Sequence, residues 1–132
     1  MKLLLAYDGS EHSRRALVLA AEMTRRFGAA LTVLSVVPTR PGRMPIDPWD
    51  DTAVHAEELI EARRLLRREG IEPTLVESVG NVPETIERIA DEGSFDAVVV
   101  GSRRLGTLGR AIQGSVSEHL ALEAPTTVVV AR

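Results

Sequence analysis

Residues 95–115 read FDAVVVGSRRLGTLGRAIQGS, and their order decides the architecture. Phe95–Val100 is a short apolar run rich in β-branched residues, the pattern of a buried strand. A glycine-rich loop, Gly101 to Gly114, follows it directly. The loop leads into a helical pattern with Ile112, Val116 and Leu120 on one face, and Thr126–Ala131 (TTVVVA) supplies another strand. Strand, loop, helix and strand in that order make one parallel crossover unit.

The same alternation runs back to the first residues. Lys2–Tyr7 (KLLLAY) is a buried-strand run that breaks into Asp8-Gly9-Ser10. From Ser10 the period becomes helical, with Ala16, Ala20, Met23 and Phe27 inward, and Gly28 stops it. Glu11 lies one turn from Arg14 and Arg15, and Glu22 one turn from Arg25 and Arg26. Leu31–Val37 is the next strand. Pro38 to Asp50 holds four of the seven prolines and the only tryptophan, and reads as a long irregular connection. Ala53–Glu69 is predicted helical with Ala56, Leu59, Ala62 and Leu66 inward, Glu72–Ser78 strand-like, and Gly80-Asn81-Val82-Pro83 a turn into a helix carrying Val82, Ile86, Ile89 and Ala90. Strands alternating with helices imply a five-stranded parallel sheet covered on both faces, with right-handed crossovers. In such sheets ligands bind beyond the carboxyl ends of the strands, near the switch in strand order. The loops Asp8-Gly9-Ser10 and Gly101–Gly114 are expected to meet there.

With 132 residues the chain has room for one domain, 1–132. It is 44% hydrophobic and 27% charged, which excludes disorder, and its net charge of −3 argues against whole-surface attraction to nucleic acid. The absence of cysteine removes disulfides, thiol nucleophiles and thiolate metal sites. The opening apolar run is too short for a signal core or a membrane span, so a soluble cytoplasmic protein is expected. Fifteen of the sixteen basic residues are arginine and Lys2 is the only lysine, so a phosphate loop of the Gly-Lys-Ser/Thr type is impossible. Four aromatics are too few for a base-stacking platform. His12, His55 and His119 share no metal-ligand spacing. The arginine pairs 14/15, 25/26, 63/64 and 67/68 sit beside glutamates and read as solvated helix faces.

Two readings of the glycine-rich loop stand side by side. Backbone amides at a helix start, backed by the helix dipole, bind phosphate, and glycine lets the main chain come close. Alternatively Ser115-Val116-Ser117-Glu118 is a capping box that satisfies the same amides without a ligand. Asp8 has the same two faces: an acceptor for ribose or base groups, or a turn residue. Arg103 and Arg104 are placed to clamp phosphate oxygens or to stay solvated. Ser115 and Ser117 are also candidate phosphoacceptors.

Taken together, these features resemble a single-domain universal stress protein over essentially the whole chain. The opening strand ending in Asp8-Gly9-Ser10, the Gly80-Asn81-Val82-Pro83 turn, and Gly101, Gly114-Ser115 and Ala124-Pro125 carry the likeness. They stand where the family's Gly-x2-Gly-x9-Gly-Ser/Thr pattern and closing Ala-Pro strand would fall. The second glycine of that pattern is Arg104 here. The resemblance implies a doubly wound, Rossmann-like sheet of strand order 3-2-1-4-5. It also implies an adenine nucleotide (ATP or AMP, with Mg²⁺ carried only by the nucleotide). Asp8 and Val36 would hold base and ribose, and Gly101, Ser102, Gly114, Ser115 and Val116 the phosphates, with Arg104 in the same loop. Members with broken glycine patterns resemble a second group, dimeric interaction modules that bind no nucleotide. A homodimer through Thr126–Ala131 is expected in either case, because an exposed edge strand is capped by a second copy. No residue is placed as a general base, so slow ATP hydrolysis is the most that is expected of it.

Overall fold

The computed structural model describes residues 1–38, 48–102 and 126–132. In chain order its elements are β1 (Lys2–Ala6), α1 (Glu11–Phe27), β2 (Ala30–Pro38), α2 (Pro48–Arg68), β3 (Thr74–Gly80), α3 (Val82–Glu92), β4 (Ala97–Gly101) and β5 (Thr127–Ala131). All strand pairs are parallel, and the sheet order is β3-β2-β1-β4-β5. The chain therefore winds outward through β2 and β3, returns past β1, and winds outward again through β4 and β5. The direction of winding reverses between β1 and β4.

Alternation along the strands divides the core in two. Leu3, Leu5 and Tyr7 point to one face with Val33, Val99 and Ala131, and there meet Ala16, Leu17, Ala20 and Ala21 of α1 and Leu59, Ala62 and Leu66 of α2. Leu4 points to the other face with Leu34, Val36, Val98 and Val100, where Ile86 and Ala90 of α3 cover them. Strands buried on both sides must be apolar at every position, which is why KLLLA and AVVVG show no polar alternation. Two successive right-handed crossovers in one direction put α1 and α2 on the same face, and the reversal puts α3 on the opposite one.

Local signals set the helix ends. The Ser10 side chain accepts a hydrogen bond from the Ser13 N–H, and the Asn81 side chain one from the Glu84 N–H. Three features depart from expectation. Pro48–Asp50 belong to α2, so the connection after β2 is shorter than the proline count suggested; proline is favoured in the first turn of a helix, where its missing N–H has no intrahelical partner anyway. Glu72 lies outside β3, because Pro73 after it supplies no ladder donor, and its carboxylate turns to Arg63 and Arg67. Phe27 is 58% exposed rather than inward. A 17-residue helix is about 26 Å long against about 17 Å for five-residue β1, so the last turn of α1 overhangs the sheet. Of the ion pairs expected on α1, Glu11 engages Arg15 at 2.8 Å, and Glu22 engages both Arg25 and Arg26.

Candidate functional site

The carboxyl ends of β1, β2 and β4 converge at the reversal point. Register pairs Ala6 with Leu34 and Leu5 with Val99. Continuing two residues places Asp8 level with Val36, and Tyr7 level with Gly101. Asp8, Val36 and Ser102 share the parity of the α3 face, whereas Tyr7, Ser35 and Gly101 share that of the α1–α2 face.

The Asp8 turn is built from its own side chains. Asp8 Oδ1 accepts from the Ser10 N–H at 2.9 Å, and Ser13 Oγ donates to the Ser10 carbonyl at 3.0 Å. Gly9 takes a left-handed φ of 79°, and a Cβ there would stand 3.1 Å from Glu58 Cγ. The local turn role of Asp8 is thus real, and the residue stands exposed just beyond the carboxyl end of β1. Gly101 is required for a different reason. A Cβ on it would meet the His12 carbonyl oxygen at 2.3 Å and the carbonyl carbon at 2.5 Å. The first turn of α1 lies directly against the end of β4, so this glycine admits main chain of the same molecule. The Ser102 N–H donates to the Ala131 carbonyl at 2.8 Å, which ties the start of the loop to β5. Arg104, Gly114, Ser115, Val116 and His119 lie outside the described residues.

A polar cluster that sequence reasoning missed lies beneath the turn on the α1–α2 face. Ser35 is fully buried in β2, and its Oγ is 2.7 Å from His55 Nδ1. The same nitrogen is 3.0 Å from Glu58 Oε2, with the two side chains only 15% and 18% exposed. Burial pushes the Glu58 carboxyl above its usual range, the His55 ring opposes this, and the like charges of Asp8 and Glu61 add to it. Nearby, the buried Tyr7 hydroxyl donates to Glu61 Oε1 at 3.1 Å, and Arg14 reaches the same oxygen at 3.0 Å. Desolvation, as the leading cause, raises the Tyr7 phenol to about 12. One signal was available in advance: a serine in the middle of the apolar run LTVLSVV needs a buried partner, and His55 and Glu58 fall one turn apart on a helix. Among the described residues no group of three His, Asp or Glu side chains is arranged to hold a metal. No described helix is long and apolar enough to cross a membrane.

A doubly wound parallel sheet, with a carboxylate-bearing turn and a packing glycine over its reversal point, defines a Rossmann-like α/β domain. Comparison with known proteins makes the assignment specific. The universal stress protein family model matches residues 1–132, and the chain belongs to that family. A universal stress protein of Thermus aquaticus is 31% identical over 136 residues, covering 98% of this chain and 97% of its own. The solved universal stress protein of Archaeoglobus fulgidus superposes with a TM-score of 0.85 at 30% identity, covering 100% of this chain and 98% of its own. A structure of the Archaeoglobus fulgidus protein in complex with dAMP superposes at 0.80 with 28% identity, again over 100% and 98% of the two chains.

Proposed function

We propose that this protein binds an adenine nucleotide, ATP or AMP, as a signal in a stress response. The observation that carries the reading is the level placement of Asp8, Val36 and Ser102 on three neighbouring strand ends at the reversal point. The similarity to a protein captured with dAMP supports it. On this reading Asp8 accepts hydrogen bonds from sugar or base, Val36 packs against the base, and Gly101 and Ser102 open the phosphate loop. Gly114, Ser115 and Val116 carry over from the family pattern as main-chain phosphate donors, and Mg²⁺ enters only with the nucleotide. Arg104 replaces a motif glycine. If the motif position requires a left-handed backbone, a residue other than glycine costs roughly 1–2 kcal/mol, and a guanidinium on phosphate returns about 1.5–3 kcal/mol, so the substitution weakens the reading without overturning it.

The test is isothermal titration with ATP, ADP and AMP, with and without Mg²⁺. Micromolar affinity that disappears in Gly114→Trp, with the fold intact, is the expected result. Silence at millimolar nucleotide overturns the reading. It would favour the second one, a dimeric interaction module that binds no nucleotide, for which Arg104 is the specific observation. Both readings include a homodimer through Thr126–Ala131. β5 stands at the end of the sheet with Val128, Val129 and Val130 only partly buried, an edge that a second copy would cover. Sedimentation of wild type against Val129→Lys checks that contact.

A further inference from the structure

The Asp8-Gly9-Ser10 turn rests against the polar cluster beneath it. A Cβ on Gly9 would stand 3.1 Å from Glu58 Cγ and 3.5 Å from its Cδ and Oε1, so this side chain fills the space against the turn's main chain. The other carboxyl oxygen, Oε2, is buried. It faces His55 Nδ1 at 3.0 Å but makes no hydrogen bond of good geometry among the described residues. That nitrogen is engaged by the Oγ of fully buried Ser35 at 2.7 Å. A ring nitrogen carries either a lone pair or a proton. With a lone pair it accepts the Ser35 hydroxyl and meets an ionised Glu58 lone pair to lone pair. With a proton aligned on Ser35 it leaves Glu58 Oε2 without a directed donor. One further proton on the pair relieves the conflict, because it either neutralises the buried carboxylate or places a full positive charge beside it. Groups on the neighbouring elements favour that proton or are already engaged. Burial above all, and then the like charges of Asp8 in the turn and Glu61 on α2, hold the Glu58 proton more tightly than usual, against the opposing His55 ring. Arg14 of α1 and Tyr7 of β1 are turned to Glu61 Oε1, at 3.0 and 3.1 Å.

We propose that the His55–Glu58 pair is a proton switch for the ligand site above it: proton uptake by the pair settles the Asp8-Gly9-Ser10 turn in its binding form, so nucleotide affinity rises as pH falls. This regulation rests on the nucleotide reading of that site. The mechanical link is the contact of Glu58 with Gly9, whose left-handed φ of 79° is held on the far side by the Ser10 N–H donating to Asp8 Oδ1. Ser10 in turn caps α1 by accepting from the Ser13 N–H, so a shift of the turn reaches the helix end. An ionised Glu58 draws toward water and away from Gly9, and it repels Asp8. A Glu58 that has gained a proton, or that faces an imidazolium, stays seated. The sign follows from charge. A nucleotide brings negative phosphate, so it prefers the form of the protein with less negative charge under the turn. Binding then takes up a proton, and by reciprocity acid strengthens binding. One concentration of nucleotide would occupy the site more fully in an acidified compartment than in an alkaline one.

The test follows the Gly9 and Ser10 amide resonances and the His55 ring of the isotopically labelled full chain from about pH 5 to 8, the range in which imidazole changes charge. Without nucleotide, both amides should shift along one titration curve shared with the ring. That step should vanish in His55→Asn/Glu58→Gln, which leaves the pair no proton to take up, with circular dichroism checking its fold. Should the double variant not fold, Glu58→Gln alone must move the shared midpoint. With AMP, calorimetry in buffers of different ionisation enthalpy should count more protons taken up by wild type than by the variant. The ligand's own titration cancels in that difference. From about pH 8 to 6 the wild-type affinity should gain about fivefold or more on that of the variant. An amide step that persists in the variant belongs to Asp8 or another group and overturns the proposal. So does the absence of any step, or equal proton uptake by the two proteins. Silence toward AMP with the amide step present removes the nucleotide reading and leaves the switch standing under the turn.

Discussion

Replacing Gly101 by alanine tests how α1 meets the sheet. The added methyl would lie 2.3 Å from the His12 carbonyl oxygen and 2.5 Å from its carbon, both main-chain atoms. Ordinary carbon–oxygen contact is about 3.3–3.6 Å, so the first turn of α1 has to lift by roughly 1 Å. It cannot do so alone. Ser13, Ala16 and Leu17 follow within a turn and are buried against the sheet, and small residues at 16, 20 and 21 are what permit the helix to lie so close. Overpacking of this kind costs about 1–3 kcal/mol, and a rigid backbone contact belongs at the upper end. For a domain of this size that lowers Tm by roughly 10 °C. Thermal and urea unfolding followed at 222 nm measure it, with unchanged m-value as the sign of an intact denatured reference. Hydrogen exchange at His12 and Ser13 should accelerate more than at α3. A Tm within about 2 °C of wild type would refute the close approach, and with it the reading of Gly101 as a packing glycine.

The remaining predictions concern the polar groups around the turn. Tyr7 is the only tyrosine, so absorbance at 295 nm reports it alone; no phenolate should appear until pH approaches about 12. Its raised folded value means that its share of stability is complete below the unfolded value near 10 and is lost as pH rises through about 12. A normal titration midpoint would refute the burial of the hydroxyl against Glu61. Glu58 is likewise held above its usual range, so its neutral form is favoured in the folded state and its contribution falls as pH rises through the folded value. Glu58→Gln should therefore raise Tm at neutral pH relative to pH 4, and the opposite trend would sink the argument. Ser35→Ala should destabilise by about 1–3 kcal/mol, because it leaves a buried imidazole nitrogen without its hydroxyl partner. Urea denaturation measures it, and a neutral effect would mean that Glu58 alone satisfies His55.

The alternation of strands and helices and the family motifs were legible in the sequence because they rest on local signals, and the sheet order followed from the family resemblance those motifs carry. Continuous apolar runs such as AVVVG fit only strands buried on two faces, and Asp8-Gly9-Ser10 and Asn81-Val82-Pro83 punctuate them with residues whose side chains cap helices. Right-handed crossovers then leave few ways to wind five strands. Boundaries were less legible where one local rule competed with another: four prolines argued against structure up to Asp50, while Pro48 itself suits the first turn of α2.

What the sequence by itself determined is the alternation, the two-sided core and the presence of a carboxylate turn and a glycine at strand ends. Only the tertiary structure decided what those residues touch. Gly101 is answered by the His12 carbonyl in the first turn of α1, Ser35 by His55 from a helix on the neighbouring crossover, and Glu72 by Arg63 and Arg67 of α2. Periodicity fixes which face of an element is apolar, but contacts between elements depend on register, on the hand of each crossover and on how closely a helix can approach its sheet. None of these is a property of a single segment, so the cluster under the Asp8 turn emerges only when the segments are packed together.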